Sequence, residues 1–380
     1  MLPNSLAYIG FVMIACAIYW MLPLRCRVPS LILFGLLYYA QASIFYLALI
    51  VVLSSITYVA GLLIAKYRSR SLLILSISTL LLILAFFKYA RVIDASTFFI
   101  SIALPLGISF FTFEFVHYLA DVYTGKIAHA SPLSFFSFAF FFPSLVSGPI
   151  KRYEHFSEQL PVVRIQAHEV LWALCFLLLG YFQKIIIADP LIPFTKAVQH
   201  PAGLSGAYQA MIGLYAYSIR IYADFAGLSN IAIGTALLFG IRLPKNFSYP
   251  YLSTSIAVFW RRWHMSLSNW IRDYVYIPLG GSRVSLARNC LNLLLVMTLV
   301  GMWHGSTLNF AVWGLYQGFG MALHRVWSST IGKRIPAAWW TKAIGIIVTF
   351  HFVTLGWAFF LTGSLHDSLV LLRVLFSYHA

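Results

Sequence analysis

Charge is scarce in this 380-residue chain: Asp, Glu, Lys and Arg make up 9% of it, against 61% hydrophobic residues and a mean hydropathy of +0.84. So little polar material excludes a soluble globule with a wetted surface. The expected class is an all-α polytopic membrane protein. Acids are scarcer still, with 10 Asp and Glu facing 26 Lys and Arg, a formal charge of +16. In a soluble chain that excess would suggest nucleic acid. Here basic loops against anionic headgroups account for it, so membrane lipids are the expected partners and nucleic acid is not. The four cysteines (Cys16, Cys26, Cys175, Cys290) are widely spaced without a Cys-x-x-Cys pair. That spacing suggests neither a disulfide framework nor a zinc centre, and no metal is expected. Also missing are a Gly-x-x-x-x-Gly-Lys phosphate loop, a Gly-x-Ser-x-Gly nucleophile elbow and internal repeats.

What is present is a series of apolar runs. A span needs ~20 mainly apolar residues, and candidates include Leu6–Leu22, Leu31–Ala42, Ile44–Ala65, Leu72–Phe87, Phe98–Leu119, Leu133–Val146, Leu171–Ile187, Leu291–Met302, Phe310–Leu323 and Ile344–Leu361. Ala207–Tyr222 and Ile231–Phe239 read as two separate short elements. The short runs imply tilted, broken or re-entrant helices, which membrane depth tolerates only where protein or a water-filled cavity covers them. Met1-Leu2-Pro3-Asn4 carries no basic n-region, so the first span is expected to be retained. Arg25 and Arg27 follow that span, and Lys66, Arg68 and Arg70 follow the next two if Gln41-Ala42-Ser43 is a hairpin. The positive-inside bias then makes that face cytoplasmic and leaves the N-terminus outside.

From Ile241 to Arg288 seven basic residues (Arg242, Lys245, Arg261, Arg262, Arg272, Arg283, Arg288) face one acid, Asp273. Ile256, Trp260, Trp263, Leu267, Trp270, Ile271 and Tyr274 recur at three- and four-residue steps. The pattern predicts one amphipathic helix near the cytoplasmic interface. His264 falls at the edge of its apolar arc, as an interfacial ring touching headgroups or as a site residue. Gly280-Gly281 marks a turn after Pro278 and could form a small anion nest with Arg283.

His304, in Trp303-His304-Gly305, stands in a stretch with no Asp, Glu, Lys or Arg between Arg288 and Arg325. An ionisable side chain at membrane depth is costly and suggests function, although a His can also serve as hydrogen-bonding glue between helices. Asp224, Arg152 and Lys184 lie in similarly apolar surroundings and are read as structural polar residues. Arg220 is a possible partner for Asp224.

Phe259-Trp260-Arg261-Arg262-Trp263-His264-Met265-Ser266-Leu267-Ser268, Trp270-Ile271-Arg272-Asp273-Tyr274 and Pro278-Leu279-Gly280-Gly281, followed by Met302-Trp303-His304-Gly305, resemble the membrane-bound O-acyltransferase (MBOAT) family. Gly107-Ile108-Ser109-Phe110, Ser147-Gly148-Pro149-Ile150, Tyr222-Ala223-Asp224-Phe225 and Pro244-Lys245-Asn246-Phe247 agree in order, so the likeness covers nearly the whole chain. It is most similar to the bacterial alginate O-acetyltransferase branch. Glu114, Arg220 and Asn230 depart from the residues expected there.

The resemblance implies a single membrane-embedded helical bundle with short or re-entrant helices around a central tunnel: peripheral helices over about 1–130, a catalytic core over about 131–325 and C-terminal helices over about 326–380. It implies acetyl-CoA entering from the cytoplasm and acetyl passing across the cytoplasmic (inner) membrane. An extracytoplasmic, SGNH-like acetyltransferase would then deliver it to an exopolysaccharide or cell-wall glycan, with a polysaccharide synthase or secretion complex as a further partner. D-alanyl transfer to teichoic acid, a proton-coupled transporter and a purely structural export subunit are the alternatives.

Acyl transfer from a thioester to a hydroxyl needs a base, and neutral imidazole suits the task. His304 is the candidate base, with His264 close by in the family. Arg261, Arg262, Arg272, Gly280 and Gly281 are candidates for the phosphates of coenzyme A. Trp303, Ser306, Asn309 and the backbone near Gly305 are the candidate oxyanion and supporting groups.

Overall fold

In the computed structural model the described residues are 3–93, 105–128, 130–160, 165–336 and 338–377. Part of the expected Phe98–Leu119 span lies outside them. The described residues form helices and no strands. Among the described residues, six helices are long and apolar enough to cross a membrane: Ile44–Tyr67, Arg70–Ala90, Ala167–Ala197, Ala207–Leu238, Leu286–His304 and Trp339–Leu361. This is a multi-pass membrane protein.

The chain divides into two compact units, residues 1–182 with 227–245, and residues 183–226 with 246–380. In the first unit α1 (Leu6–Met21), α2 (Leu24–Ala40), α3 (Ile44–Tyr67), α4 (Arg70–Ile93) and α5 (Ile108–Thr124) precede the short α6 (Pro132–Ala139) and α7 (Ala167–Tyr181). The turn between α2 and α3 falls at Gln41–Ser43, where the sequence suggests a hairpin, and Ser43 caps α3 by accepting from the Tyr46 N–H. Leu133–Val146 is broken, with α6 giving way to a single 3-10 turn at Phe142–Ser144. A buried cluster of Phe111, Phe115, Phe135, Phe138, Phe141 and Phe142 fills the core. Within it lies an ion pair that composition alone conceals: Lys151 Nζ sits 2.7 and 2.6 Å from the two carboxylate oxygens of Glu114.

α8 (Ala207–Leu238) is a continuous 32-residue helix, where the sequence suggested two short elements. Asp224, Ser229 and Asn230 interrupt the hydropathy there, but they do not interrupt the backbone ladder. In the second unit Lys184 lies in a π-helical stretch, Phe182–Ala188, where the extra residue per turn re-aims side chains. It pairs with Asp189 at 2.6 Å and Asp224 at 2.8 Å. Asp224 is thus answered by Lys184, and Arg220 turns instead to Thr195 Oγ1 at 2.6 Å.

The second unit also holds α9 (Ile256–Arg262), α10 (Met265–Ile271), α11 (Leu286–His304), α12 (Leu308–Ser329), α13 (Trp339–Leu361) and α14 (Leu365–Phe376). α11 and α12 form a hairpin closed backbone to backbone. A Cβ on Gly314 would stand 2.3 Å from the Met297 carbonyl oxygen, and one on Gly301 would stand 2.2 Å from that of Phe310. Small residues are what allow helices in lipid to approach this closely. Gly314→Leu is therefore expected to force the hairpin apart at a cost of about 1–3 kcal/mol or more, seen as a lowered melting temperature in detergent and lost activity.

Candidate active site

The expected amphipathic helix over Ile256–Tyr274 is broken at its middle. α9 ends at Arg262, His264 adopts a left-handed backbone with φ 44°, and α10 starts at Met265. The cause is a neighbouring loop that takes the backbone groups a continuous helix would use internally. Ser248 N–H donates to the Arg262 carbonyl at 3.0 Å, and Met265 N–H donates to the Asn246 carbonyl at 2.8 Å. A left-handed histidine is strained, and such strain collects at functional sites. The break turns Trp263 and His264 inward, 4% and 2% exposed. His264 is a buried residue, and the reading of it as an interfacial ring among headgroups is corrected.

Asn246 holds this imidazole. Its Oδ1 accepts from the Ser266 N–H at 3.3 Å and the Ser266 hydroxyl at 2.8 Å, and lies 3.2 Å from His264 Nδ1. An oxygen taking a backbone N–H must be an acceptor, so the proton of His264 is on Nδ1 and Nε2 keeps the lone pair. Burial pushes the imidazole down to about 3, which leaves it neutral at ordinary pH. Sequence reasoning placed Asn246 in a motif without giving it this role. The Pro244-Lys245-Asn246-Phe247 string carries no hint of which side chain its amide will orient.

His304 is the last residue of α11, half-buried among the rings of Trp303, Trp313 and Phe360, with centroids 4.5, 5.3 and 5.1 Å away. Gly305 follows because a Cβ there would lie 2.0 Å from the Phe310 ring. Trp303 stands between the two histidines, 6.3 Å from His264 by ring centroids. The fold therefore brings His264, Trp303 and His304 together from segments 40 residues apart, as the numbering shows.

The other candidates sort clearly. Asn309 is fully buried, and both of its amide protons are used, on the carbonyls of Phe359 and Thr362 at 2.9 Å each. Its Oδ1 accepts from Thr307, so it pins α12 to the end of α13 and has no donor left for an oxyanion. Ser306 is half-buried in the Gly305–Thr307 turn. The backbone N–H groups that open the 22-residue α12 follow directly and supply positive potential beside His304.

Gly280 and Gly281 have φ of 104° and 54°, the left-handed geometry a tight turn needs. Their N–H groups donate to the carbonyls of Ile277 and Tyr276, both at 2.9 Å, so the turn closes on itself and offers no nest to an anion. Arg262 Nη1 bonds the Leu252 carbonyl at 3.3 Å, bracing the loop before α9. Arg261 and Arg272 both line one cavity of about 260 Å³. Leu293, Val296, Met297 and Val300 of α11 form its apolar wall. Val300 is one helical turn before His304. Lys184 and Asp224 form the ion pair described above. Arg152 belongs to the first unit, where it precedes the short helix Tyr153–Ser157.

Residues 33–362 match the profile of MBOAT, the membrane-bound O-acyltransferase family. The chain belongs to this family. Among similar proteins, a probable alginate O-acetylase, AlgI, of Pseudomonas aeruginosa is 33% identical, over 97% of this chain and 73% of its own length. A peptidoglycan O-acetyltransferase of Helicobacter pylori is 34% identical, over 90% of this chain and 72% of its own. A teichoic acid D-alanyltransferase of Bacillus subtilis is 32% identical, over 67% and 68% respectively. This MBOAT protein is a membrane O-acyltransferase.

Proposed function

We propose that this MBOAT protein takes acetyl from acetyl-CoA on the cytoplasmic side of the inner membrane, its N-terminus outside, and passes it to an extracytoplasmic partner that acetylates an exopolysaccharide or cell-wall glycan. The observation that carries this reading is the cavity with Arg261 and Arg272 on its wall, running along α11 to Val300. Two guanidinium groups suit the phosphates of the donor, and the apolar wall suits its arm and acetyl group.

In the reaction His304 takes the proton from the attacking hydroxyl oxygen as that oxygen bonds the thioester carbonyl carbon. The carbon–sulfur bond then breaks, the acetyl group stays on the oxygen, and the proton passes from His304 to the departing thiolate. The first N–H groups of α12 face the developing negative charge. His264, held by Asn246 and 6.3 Å from Trp303 by ring centroids, keeps its lone pair on Nε2.

The test is transfer by purified protein in vesicles, with acetyl-CoA or a D-alanyl-charged carrier protein offered as donor. Acetyl-CoA alone is expected to serve, and use of the carrier alone would overturn the reading in favour of D-alanyl transfer. Arg261→Gln or Arg272→Gln, each made singly, is expected to raise the KM for acetyl-CoA by about tenfold to a hundredfold, with kcat little changed, since one charged hydrogen bond to phosphate counts for about 1.5–3 kcal/mol. An unchanged KM would move the donor site elsewhere.

A further inference from the structure

A second cavity, of about 610 Å³, lies in the same unit, between the second half of α12 and the first half of α13, closed at one side by Thr254–Ile256. Two close approaches shape it. Gly345 of α13 packs against the Thr254 backbone, where a Cβ would come 2.5 Å from the carbonyl oxygen, and Gly320 of α12 faces the Phe352 ring at 2.3 Å. Leu323, Trp327, Trp340, Ile344 and Val348 line it and remain 58%, 41%, 47%, 53% and 61% exposed. The cavity is thus a cleft open along its flank to the surroundings, which for this protein are lipid. From Trp340 to Phe352 it follows α13 for about 18 Å at helical rise. That is the dimension of an acyl chain, and a compact nucleotide would find few polar partners in it.

The charges lie at one end. Arg325, Arg334 and Lys342 are exposed and directly follow or precede the lining residues His324, Ile335 and Thr341 in the chain, and Arg261 is close enough for its charge to act on His324 in the cleft wall. No Asp or Glu occurs between Asp273 and Asp367, so nothing on these helices neutralises them. Paired tryptophans beside exposed cations are the side chains that settle at the headgroup level.

We propose that this cleft binds one anionic glycerophospholipid, an acyl chain lying along α13 and the phosphate held at the mouth by Arg325, Arg334 and Lys342. An apolar body with an anionic tip matches the cleft in shape and in charge, and a bilayer supplies that chemistry at high local concentration. The site is separate from the cavity assigned to the acyl donor, and the proposal stands whichever donor is used.

The experiment is native mass spectrometry of the delipidated full chain titrated with phosphatidylglycerol or phosphatidylethanolamine. Wild type is expected to hold one phosphatidylglycerol in preference to phosphatidylethanolamine. Ile344→Trp, which fills the cleft from an exposed position, is expected to abolish that binding. Neutralising Arg325, Arg334 and Lys342 to Gln, all surface changes that spare the fold, is expected to weaken it by about fivefold per cation. Leu299→Trp, on an exposed face of α11, is expected to leave it intact. Equal binding of both lipids, binding unaffected by the charge variant, or displacement of the lipid by acetyl-CoA would overturn the proposal.

Discussion

Replacing His304 by Ala is expected to abolish polymer acetylation while the protein still inserts and purifies as a single folded species. The loss expected for a missing general base is about 10²–10⁴-fold. His304 closes α11 with aromatic rings on three sides, and its half-buried position leaves it accessible to a reacting group. His304→Gln separates base from glue. Glutamine keeps a hydrogen-bonding tip but takes no proton at neutral pH, so it is expected to be as inactive as Ala. Acetyl transfer by the Gln variant at wild-type rate would assign the imidazole a purely structural part. Folding is checked independently by size-exclusion profile and thermal melting, which Ala is expected to change little.

The largest stability effect is expected at Lys151→Met. Lys151 and Glu114 are each 2% exposed and fully paired, and the ammonium also lies 4.6 Å over the Phe138 ring. Removing the cation strands a carboxylate in an aromatic core, a loss of about 3–5 kcal/mol. That exceeds a third of the stability of many domains, so a sharp fall in folded yield is the expected readout. The double variant Glu114→Leu with Lys151→Met is expected to recover most of it, because two desolvated charges are removed with their attraction. A double variant no better than the single would mean that the pair itself, and not the stranded acid, carries the stability.

The class of the fold was legible, and His304 stood out as a candidate, because each depends on a strong local signal. Spans register in composition, and an imidazole amid 36 residues without Asp, Glu, Lys or Arg cannot be overlooked. What was not legible depends on long-range pairing. Hydropathy split α8 at Asp224, Ser229 and Asn230, because it cannot register that Lys184 waits to neutralise the acid. The amphipathic period ran straight through Trp263 and His264, because side-chain spacing is silent on the loop that captures the Arg262 carbonyl and the Met265 N–H. Asn309 and the Gly280–Gly281 turn had the right donors in the right order, yet their hydrogen bonds were already committed to carbonyls elsewhere. Glu114 and Lys151 stand 37 residues apart, and no local spacing signals that they pair.

The glycine seam between α11 and α12 reaches back to how the protein is made. α12 has 22 residues, ample to cross a bilayer, yet it is not among the six helices apolar enough to do so, and it carries buried Asn309 and Gln317. A segment of that kind partitions poorly from the translocon on its own. Its neighbour α11 is long and apolar enough to cross, and Gly301 and Gly314 let the two pack backbone to backbone. The hairpin is therefore expected to insert as a pair, His304 reaching its depth only when the next helix travels with it.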